Sequence, residues 1–567
     1  MFRELYTAEG EKLKNDPHLI PWIEHPRPLM ERDSFFNLCG PWDFSAVENG
    51  HNLLPENTKI RVPFPPESLL SGINRHFPEG SSLIYERHIT VPEDFRKDKL
   101  LLHIDAADQH AKVYLNGTLI GSHDGGYEHF SFDISFAPDV FDLRIEVTDD
   151  LTDLSEPYGK QTVKRGGMWY TPFSGIWQSV WIESVCEEYI KSITINSDMK
   201  EAFISTDMSH NGTVLVETPS GTESFPLING KAEIIPSVIR LWSPSDPYLY
   251  RFTLSLDSGD CIHSYFALRK ISIGSVNGII RILFNEKPFF FNALLDQGYY
   301  SDGLSTPASP AMYESDIKAV KALGFNTLRK HIKVEPDLFY AYCDRLGIIV
   351  FQDMVNNGYY SFFRDTVLPN IGVTKRNDKI TKADSRIRET FIKRCRETVS
   401  QLSSFPSILY WTIFNEGWGQ FESEKLYGII KELLPDAVID AASGWFDMGA
   451  SDVKSIHKYN GKYRFAPSDK PVILSEFGGF SLLPEGHAFN EEKVYGYGAA
   501  KSPKELTVKI DRLYQNEISP AIKQGLCGSI YTQLSDVEDE VNGILSYDRR
   551  VTKLLSAPSC FPLLITS

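Results

Sequence analysis

The sequence is short of the features that mark several protein classes. Its seven cysteines (Cys39, Cys186, Cys261, Cys343, Cys395, Cys527 and Cys560) are odd in number, scattered over 567 residues, and never spaced as C-x-x-C. That spacing gives no basis for a disulfide framework or a cysteine-ligated metal centre. The thiols read instead as small buried hydrophobes of a reducing compartment. No apolar run reaches the ~18 residues a membrane span needs. The opening stretch, MFRELYTAEGEKLKNDPHLIPW, has no apolar signal-peptide core, so the expected location is cytoplasmic. Positive charge is also in deficit, with 58 Lys and Arg against 75 Asp and Glu, a net −17. A protein so acidic is not expected to take nucleic acid or an anionic membrane as its main partner.

What is present is enough apolar material for several cores, 42% of the residues. At about 100–200 residues per domain, two to four domains are expected. The pattern changes character near residue 285. Before it, short alternating runs such as "AKVYL", "LRIEVTD" and "YRFTLSL" are punctuated by turns, and Asn116-Gly117 between "KVYL" and "TLIG" is a hairpin signature. After it, eight strand candidates alternate with helical patterns: "FFFNALL", "FNTLRKH", "GIIVFQDM", "ILYWTIFNE", "AVIDAAS", "VKSIHKY", "PVILSEFG" and "GSIYTQLSD". Eight is the number that closes a (β/α)8 barrel. One helix is expected to start with Ser309 as N-cap and Pro310 in its first position, and to stop at Gly324. The expected organisation is a jelly-roll-like β-sandwich over 1–186, an immunoglobulin-like β-sandwich over 187–277, and a TIM barrel over 278–567.

Barrels of this kind work at the rim where strands end. The fourth strand ends in Asn415-Glu416 and the seventh in Glu476. The second brings Arg329 and His331, the third Asp353, the sixth His457 and Tyr459, and the eighth Tyr531. A glutamate at a strand end is commonly a solvated or salt-bridged group. Two of them, each closing an apolar strand in barrel register, fit glycosidic bond cleavage: one carboxyl protonates the leaving oxygen while the other attacks the anomeric carbon or activates water. Arg329 or Tyr459 beside Glu476 would keep it ionised. Metal or cofactor is not needed for that chemistry, and none is expected.

These same residues resemble glycoside hydrolase family 2, the β-galactosidase, β-glucuronidase and β-mannosidase group, and the resemblance covers nearly the whole chain. "GPWDFS", "YERHITVP", "VYLNGTLIGSHDGGYEHFSFDI" and "FSGIWQSVWIE" are similar to the family's sugar-binding sandwich, "RLWSPSDPYLY" and "FALRKI" to its immunoglobulin-like domain, and "LFNEKPFFFNALL" to the entry of its barrel. The resemblance implies that "FNEGW" supplies Asn415, touching the sugar's 2-hydroxyl, and Glu416 as acid/base. It implies that "ILSEFG" supplies Glu476 as nucleophile, with Arg329 and His331 in "LRKHIK" and Tyr459 in "IHKYNG" as substrate-side residues. It further implies retention through a glycosyl-enzyme intermediate.

The chain departs from the family in two places. "LLDQG" puts Asp296 and Gln297 where the family often has "NRHE", and Tyr531 stands for an eighth-strand tryptophan. In "DEVNGILSYDR" the lysine that grips a glucuronide carboxylate is missing, and Glu540 beside Asn542 would repel a uronate. The resulting expectation is a retaining exo-β-glycosidase of β-galactoside type, with Asp296, Asp353 and Tyr531 as further substrate-binding residues. A β-mannoside, β-glucoside or arabinoside specificity, and after these a β-glucuronide one, is the alternative within enzymes, and a non-catalytic carbohydrate-binding protein is the alternative outside them. The expected partner is a β-glycoside or oligosaccharide, and homo-oligomerisation is left open.

Overall fold

The protein is described by a computed structural model covering residues 3–561. After a short helix, Ala8–Asn15, the first half is built from antiparallel sheets. A four-stranded sheet is ordered Phe36–Asn37, Val180–Val185, Lys99–Ile104 and Phe130–Asp133. It faces a larger sheet that includes Gly40–Glu48, Ser82–Thr90, Val140–Thr148, His110–Leu115 and Thr118–Asp124. Alternate residues of Gly40–Glu48 and Val140–Thr148 point inward, as a half-buried strand demands. Trp42, Phe44, Tyr85, Leu102, Ile145 and Ile182 meet in the core between the sheets. The Asn116-Gly117 hairpin forms with φ of +47° and +78°, the left-handed pair that a two-residue turn of this twist requires.

A second pair of sheets follows. Three strands (Ile193–Ser197, Ala202–Thr206, Lys231–Ile234) oppose four (Gly212–Thr218, Gly221–Leu227, Tyr250–Leu256, Cys261–Phe266) around Val214, Tyr250, Phe252 and Phe266. Seven short strands in two sheets is the immunoglobulin-like plan.

Eight parallel strands then build the barrel: β1 Phe291–Asp296, β2 Thr327–Lys330, β3 Ile349–Asp353, β4 Ile408–Asn415, β5 Val438–Ser443, β6 Lys454–Lys458, β7 Val472–Phe477 and β8 Leu526–Tyr531. Backbone pairing runs β5-β4-β3-β2-β1-β8-β7-β6. At the seam between β5 and β6 side chains take over, with Ser443 Oγ 3.1 Å from Ser455 Oγ and 3.2 Å from His457 Nε2. All the strands except β6, which is half-buried, are buried along their whole length, as parallel strands covered on both faces must be. Phe291, Phe351, Tyr410, Ile473 and Ile530 fill the closed end, joined by Ile282 and Phe284 of the hairpin Ile271–Phe284. That plug leaves only the end carrying the strand C-termini open.

One helix start differs from expectation. Helix Ala311–Ala322 begins after Pro310, with no side-chain cap from Ser309. The link from β5 to β6 carries no helix. Among the described residues no helix is long and apolar enough to cross a membrane.

Candidate active site

β4 ends in a turn that aims its last residues at the barrel axis. Glu416 takes φ +53° and Gly417 φ +77°. Left-handed backbone at a non-glycine residue costs energy and persists only where neighbours impose it. Here Glu416 N donates to Ser443 O of β5 (3.0 Å), and Trp445 Nε1 donates to Glu416 O (3.2 Å). Glu476 needs no such device, since it lies inside β7 with His457 of β6 as its register partner.

The two carboxyls meet across the barrel mouth. Tyr459 Oη lies 2.6 Å from Glu476 Oε2 and 3.1 Å from Glu416 Oε1. A phenol has one proton to give, and the shorter contact assigns it to Glu476. His457 spans the same gap, with Nδ1 2.8 Å from Glu416 Oε1 and Nε2 3.6 Å from Glu476 Oε1. Glu416, His457 and Glu476 each present an atom within 4.8 Å of the others. A cluster so compact could take a divalent ion, with open positions left over. It is also the spacing at which two carboxyls work on one glycosidic bond.

Arg329 organises the floor. Its Nη1 donates to Glu476 Oε1 (3.1 Å), its Nη2 to Asn415 Oδ1 (2.9 Å), and its Nε to Asp353 Oδ1 (3.0 Å). The guanidinium is only 1% exposed, and the carboxylates of Asp353 and Glu476 outweigh its burial and raise its pKa. Burial alone would push the Glu476 carboxyl up, but His457 first, then His331, Arg329 and the Tyr459 hydroxyl hold it well below the usual carboxylate range. Burial lowers His331 to about 4, so near neutral pH this ring is uncharged. Tyr459 is shifted well above its ordinary pKa by burial and by the two carboxylates, so it stays a donor.

Of the residues singled out in the sequence, Glu416, Glu476, Asn415, Arg329 and Tyr459 share one hydrogen-bonded cluster. In three others the polar atoms are engaged by the protein itself. Asp353 sits behind the cluster, bound to Arg329 and to His331 Nδ1 (2.8 Å). Asp296 pairs with Lys330 Nζ (2.6 Å) and accepts from Gly298 N (2.9 Å). The Tyr531 hydroxyl accepts from Phe480 N (3.1 Å) while its ring packs on Phe477. Gln297 and Asn542 both hydrogen-bond to Gln533.

Sequence reasoning gave no role to His457, although it sits in strand register with Glu476. It also missed the contribution of the first sandwich. Trp169 stacks on Trp418 at 5.2 Å, Tyr360 lies edge-on to both, and Lys160 sits over Trp418. Nothing in the local sequence around residue 160 marks it as part of a site built on the distant barrel strands. Trp418 was within reach, as the last residue of "FNEGW".

The catalytic-barrel likeness extends to known proteins. Residues 280–480 match the family model described as "Glycosyl hydrolases family 2, TIM barrel domain". A β-glucuronidase of Streptococcus agalactiae is 22% identical over 80% of this chain and 84% of its own length. A β-galactosidase of Thermoanaerobacter pseudethanolicus is 24% identical over 48% of this chain, which spans only 39% of that protein. Among solved structures, a β-D-glucuronidase of Dictyoglomus thermophilum superposes with a TM-score of 0.71 at 18% identity, covering 96% of this chain and 98% of its own. A family 2 β-galacturonidase of Eisenbergiella tayi does so at 0.66 and 18%, covering 97% and 99%.

Proposed function

The chain belongs to glycoside hydrolase family 2, and from that premise we propose that it is a retaining exo-β-glycosidase with Glu416 as acid/base and Glu476 as nucleophile. The observation that carries this reading is the closeness of the two carboxyls, which present oxygens within 4.8 Å of each other. Retaining enzymes hold the pair at roughly 5–5.5 Å, whereas inverting enzymes need about 6.5–9.5 Å to admit a water.

In the first step Glu416 gives its proton to the glycosidic oxygen as the bond to the anomeric carbon breaks. Glu476, ionised beside Arg329, attacks that carbon from the opposite face and forms a glycosyl ester. In the second step Glu416, now a base, takes a proton from water. The water oxygen bonds to the anomeric carbon and Glu476 leaves as carboxylate, so two inversions restore the β configuration. Asn415 enters as the contact to the 2-hydroxyl: its Nδ2 is buried and has no partner within the protein, so a substrate oxygen would satisfy it. Asp353 and His331 act through Arg329, and Asp296 and Tyr531 support the wall. The domain limits 1–186, 187–277 and 278–567 belong to the same reading.

The sugar is proposed to be a terminal β-linked galactoside or glucuronide, the two activities named among the relatives. A panel of 4-nitrophenyl β-glycosides identifies it, and proton NMR of the first-formed product tests the stereochemistry. The β-anomer should appear before mutarotation. First appearance of the α-anomer would replace Glu476 as nucleophile by a water.

Tyr459→Phe removes the hydroxyl between the carboxyls. A hydrogen bond to a charged group contributes about 1.5–3 kcal/mol, so kcat/KM should fall about 10- to 100-fold. The Glu476 pKa is held down in part by this donor, so its loss raises that pKa. The acidic limb of the pH–kcat/KM profile should therefore move to higher pH. An unmoved limb would detach Tyr459 from the ionisation of Glu476.

A further inference from the structure

We propose that Lys160 is a specificity-determining residue of this site, and that the sugar it selects carries a carboxylate, making the substrate a β-linked uronic acid. The proposal rests on the glycosidase reading above and deepens it.

Lys160 belongs to the first sandwich but is built into the barrel mouth. Gly358 N donates to Leu154 O (2.8 Å), Asn357 Nδ2 to Ser155 O (2.7 Å), Tyr158 N to Asn356 O (3.1 Å), and the Tyr158 hydroxyl to Gly358 O (3.0 Å). These bonds strap residues 154–158 to the loop that follows β3. Gly159 takes φ +61°, and a Cβ there would lie 3.1 Å from Ile332 O, next to His331. Lys160 is thereby set against Trp418, whose ring lies edge-on to His331 (6.4 Å), and His331 in turn is bound to Asp353 of the Arg329 cluster.

Its side chain lacks what the other buried lysines have. Four lysines are buried among the described residues. Lys330 pairs with Asp296 and Glu335, Lys333 with Glu335, and Lys553 with Asp536. Lys160 is 6% exposed, and among the described residues no carboxylate pairs with it. Its Nζ rests over the rings of Trp418 (5.4 Å) and Tyr170 (5.6 Å). Ring faces attract an ammonium, but they do not replace an anion for a charge withdrawn from water. Nearby donors are equally unanswered: Trp418 Nε1 and Asn415 Nδ2 are buried with no acceptor. The charge of Lys160 also reaches the reacting centre, adding to burial in lowering the pKa of His331.

A cation and uncommitted donors that open onto a sugar site call for an anion delivered with the sugar. The anion intrinsic to a pyranose is the carboxylate at C5 of a uronic acid. Glu540, which the sequence alone sets against such a substrate, is already engaged: it accepts from the Tyr170 hydroxyl and from Asn542 Nδ2 (3.1 Å). Its neighbour Glu538 is bound by Arg165 (3.0 Å) and Thr171 N (2.9 Å).

The test compares kcat/KM of the full-length wild type, Lys160→Met and Lys160→Arg on 4-nitrophenyl β-glucuronide, β-galacturonide, β-galactoside, β-galactoside 6-sulfate and β-glucoside. The wild type should favour a uronide. In Lys160→Met the ratio of uronide to galactoside should fall about 100-fold, the factor a lost charge-assisted contact supports, and Lys160→Arg should recover part of it. The proposal is overturned if the wild type cleaves neutral or sulfated glycosides and no uronide, an outcome that leaves the glycosidase reading intact. It is equally overturned if Lys160→Met lowers both activities by one factor. Failure on every glycoside would remove the glycosidase reading instead. Isothermal calorimetry with free glucuronate and galacturonate then decides for Lys160, since binding should be present in wild type and absent in Lys160→Met, and equal binding by both would refute the role.

Discussion

Glu476→Ala is expected to lower kcat/KM by about 10⁴-fold or more, the scale of losing a member of a catalytic unit that acts through a covalent intermediate. The loss should be chemical and not structural. Glu476 is buried among donors, so alanine leaves Arg329 and Tyr459 facing a small polar cavity that water can fill. That cavity makes a sharper prediction. Azide fits where the carboxylate was and attacks the anomeric carbon from the same side, so added azide should restore turnover and yield the α-glycosyl azide. Glu416→Ala should behave differently, since general acid catalysis contributes about 10²–10⁴-fold and matters least when the leaving group needs no proton. A dinitrophenyl glycoside should therefore still glycosylate Glu476 quickly in that variant, and azide should release the β-glycosyl azide. Identical azide products from both variants would dissolve the division of roles.

Arg329→Met carries the second large effect, on stability as well as activity. It strands Asp353 and Glu476, both buried carboxylates that share this one guanidinium. Removing one partner of a buried ion pair costs about 3–5 kcal/mol. The sign with pH follows from the native pKa values. Asp353 and Glu476 are both depressed in the folded protein, so Arg329 stabilises the fold fully above the ordinary carboxylate pKa of about 4. That benefit is lost as pH falls through the depressed values. Urea unfolding of the two proteins should differ most near pH 7 and converge toward pH 3. A constant gap across that range would mean that packing, and not charge, accounts for the loss.

Much of this architecture could be read from the chain because its signals are local. The eight strand segments are apolar runs closed by polar residues, and a parallel barrel uses each closing residue at one rim, so Glu416 and Glu476 were visible as a pair before any geometry. The Asn116-Gly117 hairpin was visible for the same reason, since its left-handed backbone is written in two residues. Where a side chain turns after the strand ends is not local. Asp296 lies at the rim as expected, yet Lys330 takes its carboxylate, and that pairing depends on a lysine from the neighbouring strand. Lys160 was hidden for a stronger reason: its place over Trp418 is set by Gly159 against Ile332 and by four hydrogen bonds between two separate folds. Ser309 shows the limit at small scale, since an N-cap residue type before a proline did not become the cap.

The central claim is that Glu476 becomes covalently attached to the sugar. A 2-deoxy-2-fluoro β-glycosyl fluoride of the preferred sugar slows the second step and traps that ester. Intact mass spectrometry should show one added fluoroglycosyl group as activity is lost, and peptide mapping should place it on Glu476 within "VILSEF". Inactivation with the label on another side chain, or steady turnover with no adduct, would contradict the account.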